Sequence, residues 1–248
     1  MDLTMDFLQA VINANLEIYN LLQNIPHTVL CEKLSKGFGG DISKKVDMEA
    51  ESILVKHLGK FGRIYSEESG MIGDGSDIII IDPIDGSENF ISNIPYFGTS
   101  VAKQKDGITT HAVVANMSNG SLYVKSPDTF QKYSLFNSKK EDIVLNPHSS
   151  IGIFEKSYSS DKLHNFLKNK HLKYRSMGAL ALSLSIAHEV NFVLYEGRIR
   201  EFDIAGGWYM CENLFRFKNN NFLLVSKDKG IFDKISNFIK EQSLNGFF

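Results

Sequence analysis

Cysteine is scarce in this chain: its 248 residues hold only Cys31 and Cys211, far apart and without metal-ligand spacing. That excludes a disulfide scaffold and points to a reducing compartment, with both thiols buried and inert rather than nucleophilic. No apolar stretch reaches the roughly 18 residues that a membrane span requires. The acidic opening Met1-Asp2-Leu3-Thr4-Met5-Asp6 lacks the basic flank of a signal peptide. Neither sign of charge dominates, since 27 Lys and Arg against 29 Asp and Glu leave a net charge of -2, and no general electrostatic footprint for nucleic acid is present. Internal repeats and low-complexity tracts are also missing. These absences predict a soluble, cytoplasmic protein that partners neither nucleic acid nor membrane. The length suits one large domain or two intimately packed halves, and 43% hydrophobic content is enough for a substantial core.

What is present is concentrated in the run from Ile78 to Phe90. Four consecutive isoleucines, Ile78 to Ile81, fit a strand covered on both faces. Pro83 cannot donate to a sheet ladder, so the strand is expected to stop there and the chain to turn. Asp82 and Asp85 are then left at its carboxyl end, three apart, where they can converge on one hard cation. Gly86 lets backbone approach an anion, and Ser87 offers a hydroxyl. Taken alone, the segment is equally compatible with a solvated Asp-Pro, Asp-Gly turn.

The segment resembles the Asp-Pro-Ile-Asp-Gly-Thr-x-Asn-Phe signature of the inositol monophosphatase family, within the magnesium-dependent, lithium-sensitive phosphatases. Further motifs follow the family's order. Ser66-Glu67-Glu68-Ser69 is similar to its upstream acidic pair, and Phe202-Asp203-Ile204-Ala205-Gly206-Gly207 to its late Trp-Asp-x-Ala-Ala-Gly motif. More loosely, Asp41-Ile42-Ser43-Lys44, leading to Asp47, resembles Asp-Leu-Val-Thr-x-x-Asp. The resemblance spans roughly positions 4 to 245. It implies a layered αβαβα sandwich.

The hydrophobic pattern along the chain agrees with such a fold. A helix is predicted over residues 5–23, with Leu8, Val11, Ile12, Asn15, Ile18, Tyr19 and Leu22 on one stripe, and another over 46–58 with Asp47 in its first turn. Strands are expected near 61–66, 77–82, 97–104, 108–116, 121–125 and 130–135. From about 150 onward, strands at 151–154, 173–175, 192–195 and 222–225 alternate with helices near 160–168, 178–189, from Asp203, and 230–241. The polar stretch Ser138-Lys139-Lys140-Glu141-Asp142 suggests a boundary between an N-terminal α+β half, 1–145, and a C-terminal α/β half, 146–248, in one compact unit.

Hydrolysing a phosphate monoester requires water to attack a centre ringed by negative oxygens, a task suited to clustered divalent ions held by carboxylates from several segments. The resemblance implies a first magnesium on Glu67, Asp82 and the Ile84 carbonyl, and a second on Asp82, Asp85 and Asp203. Oxygen-only ligands favour magnesium over zinc. It also implies that Glu67 and Ser87 orient and deprotonate a metal-bound water, with Asp47 hydrogen-bonded to Ser87 near a weaker third ion. The backbone N–H groups of Gly86 and Ser87 should hold the substrate phosphate, with Asp85 a further substrate-binding residue. Glu196 matches a carboxylate that accepts from a cyclitol or sugar hydroxyl, and Arg198 and Arg200 are candidates for a second phosphate. Each of these three also has a plain reading as a solvated or salt-bridged surface residue, as Asp47 does as a capping acid. Lys36 is as readily a surface lysine as a site residue, and His111, His148, His188 and Trp208 are read as packing or surface residues.

Several positions depart from the family pattern. Ser87 stands for threonine, Lys44 for another threonine, and Gly178-Ala179 for Gly-Ser, and the glycine-rich turn after the third motif is missing. Lys44 puts the third ion in doubt. The expectation is a magnesium-dependent phosphomonoesterase acting on a small sugar or cyclitol phosphate such as inositol 1-phosphate, with two ions and the third open. A 3'-phosphoadenosine 5'-phosphate phosphatase, a fructose 1,6-bisphosphatase and a non-catalytic phosphate- or partner-binding protein remain as alternatives. Family members are commonly dimers, so a homodimer is the open expectation for assembly.

Overall fold

The computed structural model describes residues 3–244; Met1 and Asp2 of the acidic opening lie outside them. The chain starts with α1 (Leu3–Asn24) and the single turn α2 (His27–Leu30). A two-stranded ribbon, β1 (Lys33–Lys36) and β2 (Ile42–Lys44), leads into α3 (Lys45–Leu58). Eight strands then build the larger sheet: β3 (Arg63–Ser66), β4 (Gly70–Ile72), β5 (Ile78–Asp85), β6 (Gly98–Lys105), β7 (Ile108–Asn116), β8 (Ser121–Lys125), β9 (Phe130–Ser134) and β10 (Asn137–Asp142). Their order is β10-β9-β8-β7-β6-β5-β3-β4, antiparallel except for the β3/β5 pair. A short helix α4 (Ser87–Ile91) interrupts the run after β5.

The second sheet has the order β12-β11-β13-β15-β14, from β11 (Ile151–Glu155), β12 (Lys173–Arg175), β13 (Phe192–Glu196), β14 (Phe215–Lys218) and β15 (Phe222–Ser226). Helices α5 (Asp161–Asn169), α6 (Leu180–Ser185), α7 (Glu201–Met210) and α8 (Lys229–Leu244) accompany it.

Alternation along the buried strands sorts side chains into layers. Ile79, Ile81, Val113, Leu122 and Val124 pack with α1 and α3 on one face of the large sheet. Ile80, Ala102, Ala112, Val114 and Tyr123 point the other way, onto α6 and α7. In the small sheet Val193, Tyr195, Leu223 and Val225 meet α6 and α7, and Phe192, Leu194, Phe222 and Leu224 meet α5 and α8. Because α6 and α7 lie between two sheets, residues on opposite sides of both must be apolar or small. A Cβ at Gly207 would sit 2.4 Å from the Leu184 Cβ, so glycine there permits the close approach of α7 to α6. The result is the expected αβαβα layering. Even Asn15 on the α1 stripe is fully buried, and it is satisfied by donating to the Val11 carbonyl (2.8 Å) and accepting from Thr99 Oγ1 (2.5 Å).

Three expectations need correction. β5 does not stop at Pro83 but continues to Asp85, because its ladder with β6 shifts: Asp82 pairs with Ser100 and Asp85 with Gly98, so two residues oppose one. Pro83 lies in this bulge, where a missing N–H is tolerated. The polar stretch 138–142, for which no strand is expected, is part of β10, an edge strand paired with β9. The helix predicted over 178–189 is the shorter α6, followed by turns at Ile186 to Glu189.

Candidate active site

The bulge in β5 decides which side chains meet. Without it, Asp82 would share a face with position 84, and Asp85 would point into the α1/α3 layer. With one extra residue, Ile84 joins that layer and Asp85 follows Ile80 and Asp82 toward α6 and α7. Glu67 and Glu68 come off the end of the neighbouring parallel strand β3, with the Glu67 N–H donating to the Ile81 carbonyl at 3.3 Å. Asp203 enters from the opposite side, in the first turn of α7.

These segments converge on one cavity of about 840 Å³, lined by nine carboxylates (Asp41, Asp47, Glu67, Glu68, Asp82, Asp85, Glu88, Glu155, Asp203) and four cationic side chains (Lys33, Lys44, Lys156, Arg200). Carboxylate oxygens of Glu67, Asp82 and Asp203 all lie within 4.8 Å of one another. Asp85 is outside that trio yet lines the same cavity, and its Oδ2 accepts from the Leu182 N–H at 2.9 Å. The other oxygen stays available. An all-oxygen donor set of this kind, drawn from three segments, fits a hard divalent cation.

The electrostatics are those of a site built to receive positive charge. Burial, reinforced by the neighbouring acids, pushes Asp82 and Asp85 well above the usual carboxylate range. Burial lifts Glu67 to about 7, with Arg200 opposing and Asp203 and Glu68 adding to the rise. It lifts Asp47 to about 7 as well, against a backbone hydrogen bond that favours its charged form. Four carboxylates that resist ionisation in one cavity mark a place suited to a cation.

Arg200 supplies part of that charge. Its guanidinium is bidentate on Asp203 (2.9 and 2.8 Å) and also reaches Glu67 at 2.6 Å and Asp41 at 2.8 Å. It therefore lies among the carboxylates rather than facing away from them toward a second phosphate. Ser87 opens α4 behind Gly86, whose left-handed φ of 83° suits glycine. The hydrogen bond at Ser87 Oγ comes from Lys44 Nζ (3.2 Å), whereas Asp47 Oδ2 accepts from the Lys44 backbone N–H (2.7 Å) and caps α3. The Asp47–Ser87 bond implied by the resemblance is thus replaced by a lysine contact.

Other expected residues stand apart. Glu196 and Arg198 are not among those lining the cavity, although one buried oxygen of Glu196 lacks a hydrogen-bond partner. Lys36 is exposed on β1, and Lys33 of the same strand lines the cavity instead. Burial depresses His188 to about 4 and pushes Cys211 up to about 12, in keeping with inert roles.

Two site features are absent from the sequence-based expectations. Glu155, at the end of β11, accepts from the Met177 and Gly178 N–H groups (3.2 and 2.7 Å) and from Ser183 Oγ (2.5 Å), fixing the turn that opens α6. Asn89 Nδ2 donates to the Tyr96 and Met177 carbonyls (2.7 and 2.8 Å), tying α4 to that turn. Glu155 carries the same signal as Asp82, a carboxylate directly after an apolar run in a strand.

Comparison with known proteins agrees with this geometry. The chain is 32% identical over 149 residues to a fructose-1,6-bisphosphatase of Pyrococcus furiosus, covering 59% of this chain and 56% of that protein. It is 27% identical over 223 residues to a bifunctional NADP phosphatase/NAD kinase of Methanocaldococcus jannaschii, covering 73% of this chain but only 38% of that one. The match thus spans little more than half of the first relative and well under half of the second. A solved Thermotoga maritima IMPase superposes with a TM-score of 0.75 at 21% identity, over 94% of this chain and 98% of that one, which establishes the shared fold. Among the described residues no helix is long and apolar enough to cross a membrane. With residues 9–214 matching the family's model, a span that holds the whole larger sheet and all four acidic segments, this chain belongs to the inositol monophosphatase family.

Proposed function

We propose that the protein is a magnesium-dependent phosphomonoesterase that hydrolyses a small phosphorylated sugar or cyclitol. The observation that carries the proposal is the convergence of Glu67, Asp82 and Asp203 within 4.8 Å, beside Asp85, Gly86 and Ser87, in one cavity. Glu67, Asp82, Asp85, Asp203 and the Ile84 carbonyl would hold two ions. Such ions supply Lewis-acid stabilisation of the phosphoryl oxygens and water of lowered pKa.

The chain's own residues do the remaining work. Asp85, with one oxygen held by the Leu182 N–H, is oriented before any ligand arrives. Glu67, at the cavity wall beside Asp82 and Asp203, is placed to accept a proton from the attacking water. Ser87 presents its hydroxyl to the same water. The Gly86 turn brings backbone close to the phosphate without a Cβ in the way.

A bisphosphate or nucleotide substrate is the second reading. It is favoured by the relatives named for fructose 1,6-bisphosphate and NADP, and by Lys33 and Lys156 lining a cavity of about 840 Å³. Phosphate release from inositol 1-phosphate, fructose 1,6-bisphosphate, 3'-phosphoadenosine 5'-phosphate and NADP, each with magnesium and with a chelator, separates the readings. Turnover that persists in the chelator would overturn the mechanism, and silence on every substrate would favour a non-catalytic binding role.

A further inference from the structure

Lys44 is placed where neither helix energetics nor solvation favours a lysine. Its side chain is only 6% exposed, whereas lysine heads nearly always reach water. It occupies the N-cap of α3, and its ammonium lies against Ser87, the first residue of α4, so the charge opposes the dipoles of both helices. Its salt-bridge partner Glu88, at 2.8 Å, is 81% exposed and therefore well screened. The fold gains little from this arrangement, and a residue that breaks several local rules at a cavity wall is a functional one.

The surrounding acids show what the ammonium does. On this side of the cavity Glu68 and Glu88 repel Asp47; Lys44 offsets Asp47, and it offsets Glu68 together with Arg200. Arg200 serves the other group, Asp41, Glu67 and Asp203. An ammonium has three donors. Two reach Ser87 Oγ (3.2 Å) and Glu88 Oε1 (2.8 Å), and the third has no partner among the described residues.

We propose that Lys44 is a positioning residue and built-in cation: it occupies one lone pair of the Ser87 hydroxyl, so that the hydroxyl proton is directed into the cavity, and it makes a further bound ion beside Asp47 and Glu68 unnecessary. The inference rests on the phosphomonoesterase reading but is tested partly without turnover. Lys44→Met keeps the length of the stem and removes the charge and the donors. Its kcat should fall about 10- to 100-fold, the size of a lost charge-assisted hydrogen bond, with KM within about threefold of the parent. Lys44→Arg should recover most of that loss.

Calorimetric titration with magnesium, in the absence of substrate, gives an independent measure. Lys44→Met should bind one ion more than the parent protein, and Lys44→Arg the same number as the parent. If Lys44→Met does not fold, Lys44→Gln, which retains a donor without the charge, takes its place in the titration. Unchanged kcat, or an unchanged ion count in the neutral variant, would overturn the proposal. A parent protein that releases phosphate from no substrate would sink the phosphatase reading instead, and the ion counts would still decide the role of Lys44 as a cation.

Discussion

Arg200 offers the sharpest test of how the site is balanced. On the proposed function, Glu67 and Asp203 would serve two cations in turn, since both belong to the trio suited to a metal and both are ion-paired with the guanidinium. In the metal-free protein, Arg200→Met would strand two carboxylates whose side chains are only 12% and 11% exposed. Removing one partner of a fully buried pair costs about 3–5 kcal/mol. Arg200 itself is 22% exposed, and its arm to Asp41 ends on a residue 76% exposed. A discounted loss of about 2–3 kcal/mol is therefore expected, with almost nothing from Asp41. For a chain of this size, that lowers Tm by about 4–12 °C.

Magnesium should reverse most of this loss. In the parent protein an incoming ion must break or share the guanidinium bonds, whereas in the variant it meets free carboxylates, so it binds more tightly and stabilises more. Thermal melts of parent and variant with a chelator and with saturating magnesium test the argument. The gap in Tm should shrink severalfold on adding magnesium. Equal magnesium shifts in the two proteins would show that Arg200 does not compete with the metal, and the charge balance between guanidinium and ion would fail as an account of the site.

Other perturbations separate the roles of the acids. Asp85→Asn keeps an acceptor for the Leu182 N–H but loses a charge, so turnover should drop on the order of a thousandfold or more and magnesium affinity should fall with it; parental turnover would refute its role as ligand. Ser87→Ala should lower turnover by about a hundredfold while leaving calorimetric magnesium affinity intact, and an unchanged rate would leave Glu67 alone to activate water. For pH, Asp47 is lifted to about 7, whereas in the unfolded chain it titrates near 4 (about 3.9), so between those values the folded protein retains a proton that the unfolded one has released. Its contribution to stability is present in full below about pH 4 and is lost as pH rises through about 7. The Tm of the chelated parent minus that of Asp47→Asn should therefore decline from pH 4.5 to 8, and a flat difference would contradict the burial argument.

The elements most legible in the sequence are those whose apolar runs are buried on both faces. The β7 and β8 bounds agree with expectation because Ala112 to Ala115 and Leu122 to Val124 alternate between two packed layers. β10 is invisible for the opposite reason, since an edge strand made of Asn137–Asp142 carries no hydrophobic period and reads as a polar boundary. Pro83 misleads because a proline ends a strand only where the ladder is regular. In a bulge, a residue without an N–H costs nothing.

The candidate site divides along the same line. Glu67, Asp82, Asp85 and Asp203 are legible because each follows an apolar strand run or opens a helix, and the carboxyl ends of such runs are where a layered fold exposes side chains to a shared cavity. The cations are not. Lys44 reaches Ser87 across 43 positions of sequence, and Arg200 reaches Asp41 across 159. Only the Arg200–Asp203 pair, three positions apart, is local enough to be read from sequence. A motif identifies the acids that attract a metal, but what neutralises them before a metal arrives depends on which long side chains the folded elements allow into the cavity. Of the cations lining this cavity, Lys44 and Arg200 make ion pairs with its acids, and only Arg200 sits on carboxylates that the metal trio also uses. Metal loading should therefore displace Arg200 and leave Lys44 in place, so that the guanidinium, once released, becomes the mobile cation free to meet an incoming anion.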